Sequence, residues 1–342
     1  MVIEVADAPL ISVCIANYNG EGVLHPCLES VFAQEGNFEL EVLVHDDAST
    51  DGSCDLVRHR FPDVQLIESR ENVGFCVSNN RMAEVASGRY LLLLNNDAKL
   101  RPGSLEALLR EAGDAAGPVL LGLPQYTLHD GGLVDRGYEF DLFMNPIPVF
   151  TAETHDVATA TGACLWIPRE IWDAVGGFPP WFESIAEDIY LCQAARLLGY
   201  ATRVLDAPGF DHWIGKNLGG GKVVANRLQT TARRRALSER NRTGVMLLCY
   251  PVWVLLILLP IHVAFLSAEA LFLWGGGGGR GKVRQVYGAI LPSLWRRRAD
   301  IRALRGMLRV RQKQAGWQFM ARFRWMPHKL RMLLRHGVPE IQ

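Results

Sequence analysis

The sequence has no pair of cysteines at CxxC spacing, no internal repeat, and almost no acid after Gly275. Its seven cysteines, at positions 14, 27, 54, 76, 164, 192 and 249, are scattered and odd in number. That leaves neither a zinc motif nor a dithiol redox motif. Most of them sit inside apolar runs, as reduced buried thiols of a cytosolic protein do. The opening stretch, "MVIEVADAPL", lacks a basic n-region and a long apolar h-region, so a signal peptide is not expected.

The scarcity of acid near the end hides behind a net charge of zero. From Gly275 onward there are 16 Lys/Arg against two acids, Asp300 and Glu340, while residues 1–274 carry 20 Lys/Arg against 34 Asp/Glu. An acidic body therefore carries a basic tail, which suits an anionic surface of lipid or nucleic acid. No nucleic-acid motif accompanies the charge, so lipid is the better fit.

Between residues 11 and 97 apolar runs alternate with helical patterns. "ISVCIA" (11–16), "LEVLVHD" (40–46), "VQLIE" (64–68) and "YLLLLN" (90–95) read as strands. Residues 22–34, about 51–59 and 74–87 read as the helices between them. Such alternation implies right-handed βαβ units and a parallel sheet covered on both faces. Ligands of these sheets bind beyond the carboxyl ends of the strands, and there the polar residues cluster: Asn17-Tyr18-Asn19, Asp46-Asp47 and Asn95-Asn96-Asp97. Residues 102–180 are less regular, with a hairpin region and a short helix near 169–175. An amphipathic helix is expected from about Ala186, with Glu187 and Asp188 in its first turn.

Residues 244–274 are apolar and long enough to cross a bilayer once. Pro251 and Pro260 interrupt them, His262 and Glu269 are polar, and arginines flank both sides. The positive-inside rule places both flanks in the cytoplasm, which a single span does not allow. A hairpin bent near Pro260, or helices lying in the interface, would. "GGGGG" (275–279) reads as a joint, and residues 281–335 as basic helices dotted with Trp295, Trp317 and Trp325.

Four constellations carry chemistry. Asp97 in isolation is a turn or cap residue. At a crevice holding a nucleoside diphosphate it becomes a hard oxygen ligand for Mg²⁺ or Mn²⁺. In "HDDASTDGS" (45–53) the two acids are turn formers, or one accepts the imide N–H of uracil or thymine, while Ser49 and Thr50 can cap the next helix. In "AEDIY" (186–190) acids in a first turn are favoured by the helix dipole alone. Adjacent side chains there diverge by roughly 100°, so one carboxylate can face an acceptor sugar and serve as general base. In "FDHWIGKNLGGGK" (210–222), His212 and then Gly215 and Lys216 suit a loop closing over an anion.

Taken together, "ISVCIANYNG", "VLVHDDASTDGS", "ENVGFCVSNNRMAEVASGRYLLLLNNDAKLRPGSL", "TGACLWIPREIWDAVGGFPPWFESIAEDIYLCQAARLLGY" and "SERNRTGVMLLCY" resemble family 2 glycosyltransferases of GT-A fold, nearest to bacterial rhamnosyltransferase-like members of polysaccharide pathways. The resemblance covers about residues 10–250. It implies an α/β GT-A domain over 1–240, Rossmann-like with a mainly parallel sheet and helices on both faces. An apolar membrane-associated segment would follow over 241–274, and a basic helical tail over 275–342. It implies nucleotide contacts at Ala16 and Tyr18, base binding at Asp47, and donor contacts at Asn72, Gly74, Asn80 and Asn95. Asp97 matches the last acid of the DxD motif, whose first position is Asn95 here. His212 matches a histidine near metal and diphosphate. Asp188 matches the catalytic base, with Glu187 beside it, and Gly162 and Gly177 match the acceptor side.

The function so implied is inverting, Mg²⁺- or Mn²⁺-dependent transfer of a sugar from dTDP-rhamnose or a UDP-sugar. The acceptor would be a glycan or a polyprenyl-diphosphate-linked saccharide at the cytoplasmic face of the inner membrane, as in O-antigen synthesis, with no nucleic acid as partner. No QxxRW-type motif follows the "ED" segment, which favours single-sugar transfer over processive synthesis. The rivals from other classes are a non-catalytic nucleotide-sugar-binding subunit of an envelope-assembly complex and a membrane-anchored nucleic-acid binder.

Overall fold

The computed structural model describes residues 10–152, 156–213, 220–224, 227–275, 279–329 and 340–341. The first half alternates as its apolar runs require: β1 (Leu10–Asn17), α1 (Glu21–Phe32), β2 (Glu39–Asp46), α2 (Ser53–Arg60), β3 (Gln65–Glu68), α3 (Phe75–Val85) and β4 (Tyr90–Leu94). Shorter pieces follow: β5 (Ala98–Leu100), α4 (Ser104–Asp114), β6 (Val119–Gly122), β7 (Gln125–Thr127), β8 (Leu133–Asp135), β9 (Tyr138–Phe140), β10 (Pro146–Pro148), β11 (Cys164–Pro168) and α5 (Arg169–Val175). After a 3₁₀ turn at Pro180–Phe182 come α6 (Glu187–Leu197), β12 (Ala201–Val204), β13 (Phe210–His212), β14 (Gly220–Val224) and β15 (Arg227–Thr230). The rest is α7 (Ala232–Cys249), α8 (Val252–Leu273), α9 (Gly279–Val286), α10 (Ile290–Arg296), α11 (Arg298–Arg311), α12 (Gly316–Ala321) and β16 (Glu340–Ile341).

The chain divides into two compact units that interleave along the sequence: residues 1–137, 149–183 and 200–213, and residues 138–148, 184–199 and 214–342. The first unit is built on a seven-stranded sheet of order β12-β6-β11-β4-β1-β2-β3. All its pairings are parallel except those of β11, which runs antiparallel to both β4 and β6. The chain steps from β1 outward to β2 and β3, then returns to place β4 on the other side of β1. With right-handed connections, that reversal puts α1 and α2 on one face and α3 on the other. It also opens a crevice between the carboxyl ends of β1 and β4, the place where such sheets bind ligands. The central strands are apolar on both faces, with Leu91, Leu92 and Leu93 of β4 and Ile11, Val13 and Ile15 of β1 fully buried, as a covered sheet demands. A second sheet of this unit, β5-β13-β7-β8, brings His212 level with Ala98 and Thr127.

Two local expectations change. Ser49 and Thr50 do not cap α2, whose first turn follows Gly52 without a side-chain cap. Ser49 Oγ instead accepts from the Asn19 amide (2.8 Å) and Asn19 Oδ1 accepts from the Thr50 amide (2.8 Å), so the pair ties the end of β1 to the turn after β2. The apolar zone is not broken at Pro260, which lies inside α8. The break comes at Tyr250-Pro251. Pro251 is the N-cap of α8, where a missing N–H costs no intrahelical bond, so the helix starts just after it and not nine residues later.

The second unit is mainly helical. Helix α7 packs against α6, α9, α10 and α11. None of the seven cysteines is in a disulfide among the described residues, and all but Cys54 are buried.

Candidate functional site

The end of β1 meets the end of β4 through side chains. Asn96 Nδ2 donates to Asn17 Oδ1 (2.8 Å), and Asn17 Nδ2 donates to Asp46 Oδ2 (2.9 Å). Asp46 Oδ1 accepts from the Ser49 amide (2.8 Å), so this acid is the turn former. A Cβ at Gly20 would strike the Asn17 and Asn96 amides, so glycine is required where the chain leaves the crevice. Ala16 is half-buried in β1 beside the crevice, and Tyr18 just beyond it is exposed.

Asp47 does something different from its neighbour. Its Oδ1 accepts from the Val73 amide (2.7 Å) and its Oδ2 from the Gly74 amide (2.8 Å). One buried carboxylate thus holds the start of α3 against the end of β2. A carboxylate has about four lone-pair sites, so each oxygen keeps room for one further donor. Gly74 sits at φ +87, a conformation that suits glycine, and Asn72 is exposed two residues before it.

After β4 the chain turns sharply, and its polar triplet divides its work. Asn96 joins Asn17, as above. Asp97 Oδ1 lies 3.1 Å from His212 Nε2, and Asn95 Nδ2 lies 3.4 Å from the same nitrogen. The other ring nitrogen, Nδ1, is 3.1 Å from Gln125 Nε2. Strand pairing enforces the meeting: His212 is opposite Ala98 in the β5–β13 register, and the Trp213 amide donates to the Asp97 carbonyl (3.1 Å). Gln125 was not among the expected residues. It stands 87 positions from His212 and reaches it only because β7 and β13 are neighbours. Gly215 and Lys216 of the same loop lie outside the described residues.

Asn80 is fully engaged with a peptide. Its Nδ2 donates to the Phe178 carbonyl (2.8 Å) and its Oδ1 accepts from the Phe178 amide (2.9 Å). A Cβ at Gly177 would come within 2.9 Å of Asn80 Oδ1, and Gly177 itself has φ +69. Asn80 and Gly177 are therefore one latch, fastening α3 to the turn after α5. Gly162 is buried, and its neighbour Ala163 offers its carbonyl to the Asn95 amide (2.9 Å), so this turn abuts the end of β4.

In the second unit, Glu187 and Asp188 open α6 as expected. They do face apart. Glu187 is buried, and its Oε2 has no hydrogen-bond partner among the described residues. Burial first, then the neighbouring Asp188, push its pKa up to about 8, against the pull of Arg234 from α7. Asp188 is half-buried and Oδ1 accepts from the Ile189 amide (2.7 Å). The turn feeding this helix is strained, with non-glycine residues at positive φ: Ile185 (+71) and Ala186 (+67). Asn241 of α7, fully buried, donates through Nδ2 to the carbonyls of Ser184 (2.9 Å) and Ile185 (2.8 Å). The motif "SERNRTG" was a visible signal, but the partner of its asparagine was not.

The donor set of Asp97 and His212 fits a divalent cation that draws its remaining ligands from phosphate oxygens and water. Among the described residues there is no group of three or more His, Cys, Asp or Glu that could hold a metal without such help. If Nδ1 accepts from Gln125 Nε2, a neutral His212 carries its proton on Nε2 and donates it to Asp97. Turning the Gln125 amide over presents Oε1 to Nδ1–H and frees the Nε2 lone pair, the arrangement a metal-binding histidine uses.

Residues 12–174 match the family described as Glycosyl transferase family 2. "Uncharacterized protein MT1568" of Mycobacterium tuberculosis (strain CDC 1551 / Oshkosh) is 36% identical over 107 residues, 31% of this chain and 33% of that protein. "O-antigen biosynthesis protein RfbC" of Myxococcus xanthus is 28% identical over 242 residues, 61% of this chain and 19% of that protein. The chain thus spans a third or less of the length of these two curated relatives. The crystal structure of GalNAc-T7 with UDP, GalNAc and Mn²⁺ superposes with a TM-score of 0.63 at 13% identity, over 98% of this chain and 59% of that one. The likeness is one of fold, and the architecture is the GT-A arrangement expected from the motifs.

Proposed function

We propose that this chain, which belongs to glycosyl transferase family 2 through residues 12–174, moves one sugar from a nucleoside-diphosphate donor to a hydroxyl of an envelope glycan or lipid-linked saccharide, with inversion at the anomeric carbon. The observation that carries the reading is the pairing of Asp97 with His212 at the reversal point of the sheet, together with the Asp47 hub after β2. Support for the donor class comes from the UDP bound in the GalNAc-T7 structure, and for the process from the O-antigen name of the RfbC relative.

Asp47, Ala16 and Tyr18 bind the nucleoside, with Asp47 accepting the imide N–H of uracil or thymine on its remaining lone pairs. Asn72 and Gly74 border the donor, and Asn95 flanks the diphosphate. Asp97 and His212 would hold Mg²⁺ or Mn²⁺, which supplies charge stabilisation for the diphosphate when bound. Gly162 and Gly177 shape the turns on the acceptor side. Asp188 takes the proton from the acceptor hydroxyl. The acceptor oxygen forms its bond to the anomeric carbon while the bond to the diphosphate oxygen breaks, and the diphosphate leaves with the electron pair. General-base help of this kind contributes about 10²–10⁴-fold. Glu187 beside it stays protonated at neutral pH and adds no second negative charge.

The acceptor and the apolar helix α8 both favour work at the cytoplasmic face of a membrane. The test is donor turnover by the purified chain with UDP- and dTDP-sugars and Mn²⁺. Release of free nucleotide that falls by about 10² or more in Asp188→Asn, with nucleotide binding kept, supports the reading. Nucleotide-sugar binding without turnover would instead favour a non-catalytic subunit.

A further inference from the structure

Helix α8 has two unlike faces. One turns toward α7. His262 Nε2 lies 2.9 Å from Thr243 Oγ1, and Glu269 accepts from Arg235 (3.0 Å). Tyr287 (3.1 Å) and Lys329 (2.7 Å) also donate to Glu269. The partners step in opposite directions along the two helices, 243 with 262 and 235 with 269, so α7 and α8 form an antiparallel hairpin closed at Tyr250-Pro251. The interior of that hairpin is charged. Glu239 is buried among Arg235 (3.0 Å), Arg242 (2.7 Å) and Lys329 (2.9 Å). Burial works to raise its pKa, but the three cations outweigh it and hold it well below the usual carboxylate range.

The opposite face of α8 is apolar along its whole length and uncovered. Trp253, Leu256, Ile257, Ile261, Phe265 and Phe272 are all exposed. Leu256 is 73% exposed, and a contiguous row of such side chains is rare on a surface that faces only water. Beyond the helix, Arg280, Lys282, Arg284, Arg296, Arg297, Arg298 and Arg302 are exposed, and Asp300 is the only acid among described residues 279–329. Trp274 and Trp295, both exposed, sit beside that charge. An exposed apolar helix face followed along the chain by exposed tryptophan and arginine matches a bilayer interface with anionic headgroups.

The pairing with α7 decides the orientation. A helix of 22 residues is about 33 Å long and could cross a bilayer by itself. It is not by itself: sinking residues 262–269 to mid-bilayer carries Arg235, Glu239, Arg242 and Lys329 to the same depth, where buried charge is least tolerated. We propose that α8 lies parallel to the surface of an anionic bilayer, its apolar face inserted and both its ends on the same side, with α7 riding above it in water. This deepens the membrane location given above and rests on it. It differs from a span in topology and from a protein partner in needing only lipid.

The full chain is floated with phosphatidylcholine vesicles, with and without phosphatidylglycerol. Binding is expected with phosphatidylglycerol and weakened by salt. Replacing Arg297 and Arg298 by Gln lowers it about thirtyfold. Leu256→Arg with Phe265→Arg abolishes it while the thermal unfolding temperature stays put, since both side chains are exposed. Topology is read on vesicle-bound protein in a Cys54→Ser background, with Val252→Cys marking the start of α8 and Gly281→Cys, in α9, the chain past its end. A membrane-impermeant maleimide added outside labels both ends if the helix lies flat. One end labelled only after detergent means a span and overturns the proposal. No flotation with either vesicle overturns it through the membrane location itself, as does a stable dimer that masks Leu256 in solution. None of these outcomes depends on donor turnover, so the transferase reading stands or falls separately.

Discussion

Nε2 of His212 lies 3.1 Å from Oδ1 of Asp97, although 115 positions separate them. The contact joins the turn after β4 to the end of β13, and it places one imidazole and one carboxylate where the sheet reverses. If this pair holds the metal, Asp97→Asn and His212→Ala should each remove the Mn²⁺ dependence of nucleotide binding. Gln125→Leu should be subtler. It removes the group that sets the tautomer of His212, and such partners typically contribute 10–100-fold in metal affinity. Titration of Mn²⁺ by electron paramagnetic resonance, wild type against Gln125→Leu, reads this directly; equal affinities would show that Gln125 only packs.

Asp47 ties β2 to α3 through two backbone amides. Asp47→Asn keeps the shape but puts an NH₂ against one of those N–H donors. The cost expected is about 1–3 kcal/mol of stability. Urea unfolding measures it. The same variant should lose its preference for uridine or thymidine nucleotides over cytidine ones, which ligand-induced shifts in the unfolding midpoint report.

Glu187 gives a pH signature. Its folded pKa is pushed up to about 8, above the ordinary carboxylate value it has when unfolded. Between those two values the unfolded chain has released this proton and the folded chain has kept it. Stability from this group is therefore highest below the unfolded pKa, falls as pH rises toward about 8, and levels off beyond. Glu187→Gln removes the ionisation. The variant should gain stability relative to wild type at pH 8–9, with the gap closing toward pH 5. Urea midpoints across that range test it, and a gap independent of pH would contradict it.

Asn241 holds the carbonyls of Ser184 and Ile185 in a turn that strains at Ile185 and Ala186. That turn delivers Asp188. Asn241→Ala should lower kcat by roughly tenfold or more while leaving the donor KM nearly unchanged, because misplacement of a reacting group by an ångström can cost about 10²-fold. Asn241→Asp should not rescue it, since a carboxylate facing two carbonyls cannot donate. Unchanged kcat in both variants would reduce Asn241 to a packing residue.

What could be read from the chain follows a physical line. β1 to β4 were legible because each is a run of apolar residues between turn formers, a local property. The antiparallel β11 was not, since Cys164–Pro168 carries no mark of its direction. Asp97, His212 and Asp188 were visible through motifs. Their supports were not, because Gln125 and Asn241 act through pairings between segments far apart in sequence. Asn80 shows the opposite gap: the motif flagged it as a donor contact, and its amide is taken up at both ends by Phe178. The apolar segment was evident from composition, while its break at Pro251 and its polar seam with α7 came only from packing.

The most direct test of the central claim is a thermal-shift comparison of wild type and Asp97→Asn with UDP and dTDP compounds, with and without Mn²⁺. A ligand held only by the native state at 100 times its Kd adds about 2.7 kcal/mol, enough to read clearly. The account requires stabilisation of the wild type that depends on Mn²⁺ and disappears in Asp97→Asn. No shift with any nucleotide, or the same shift in both proteins, would contradict it.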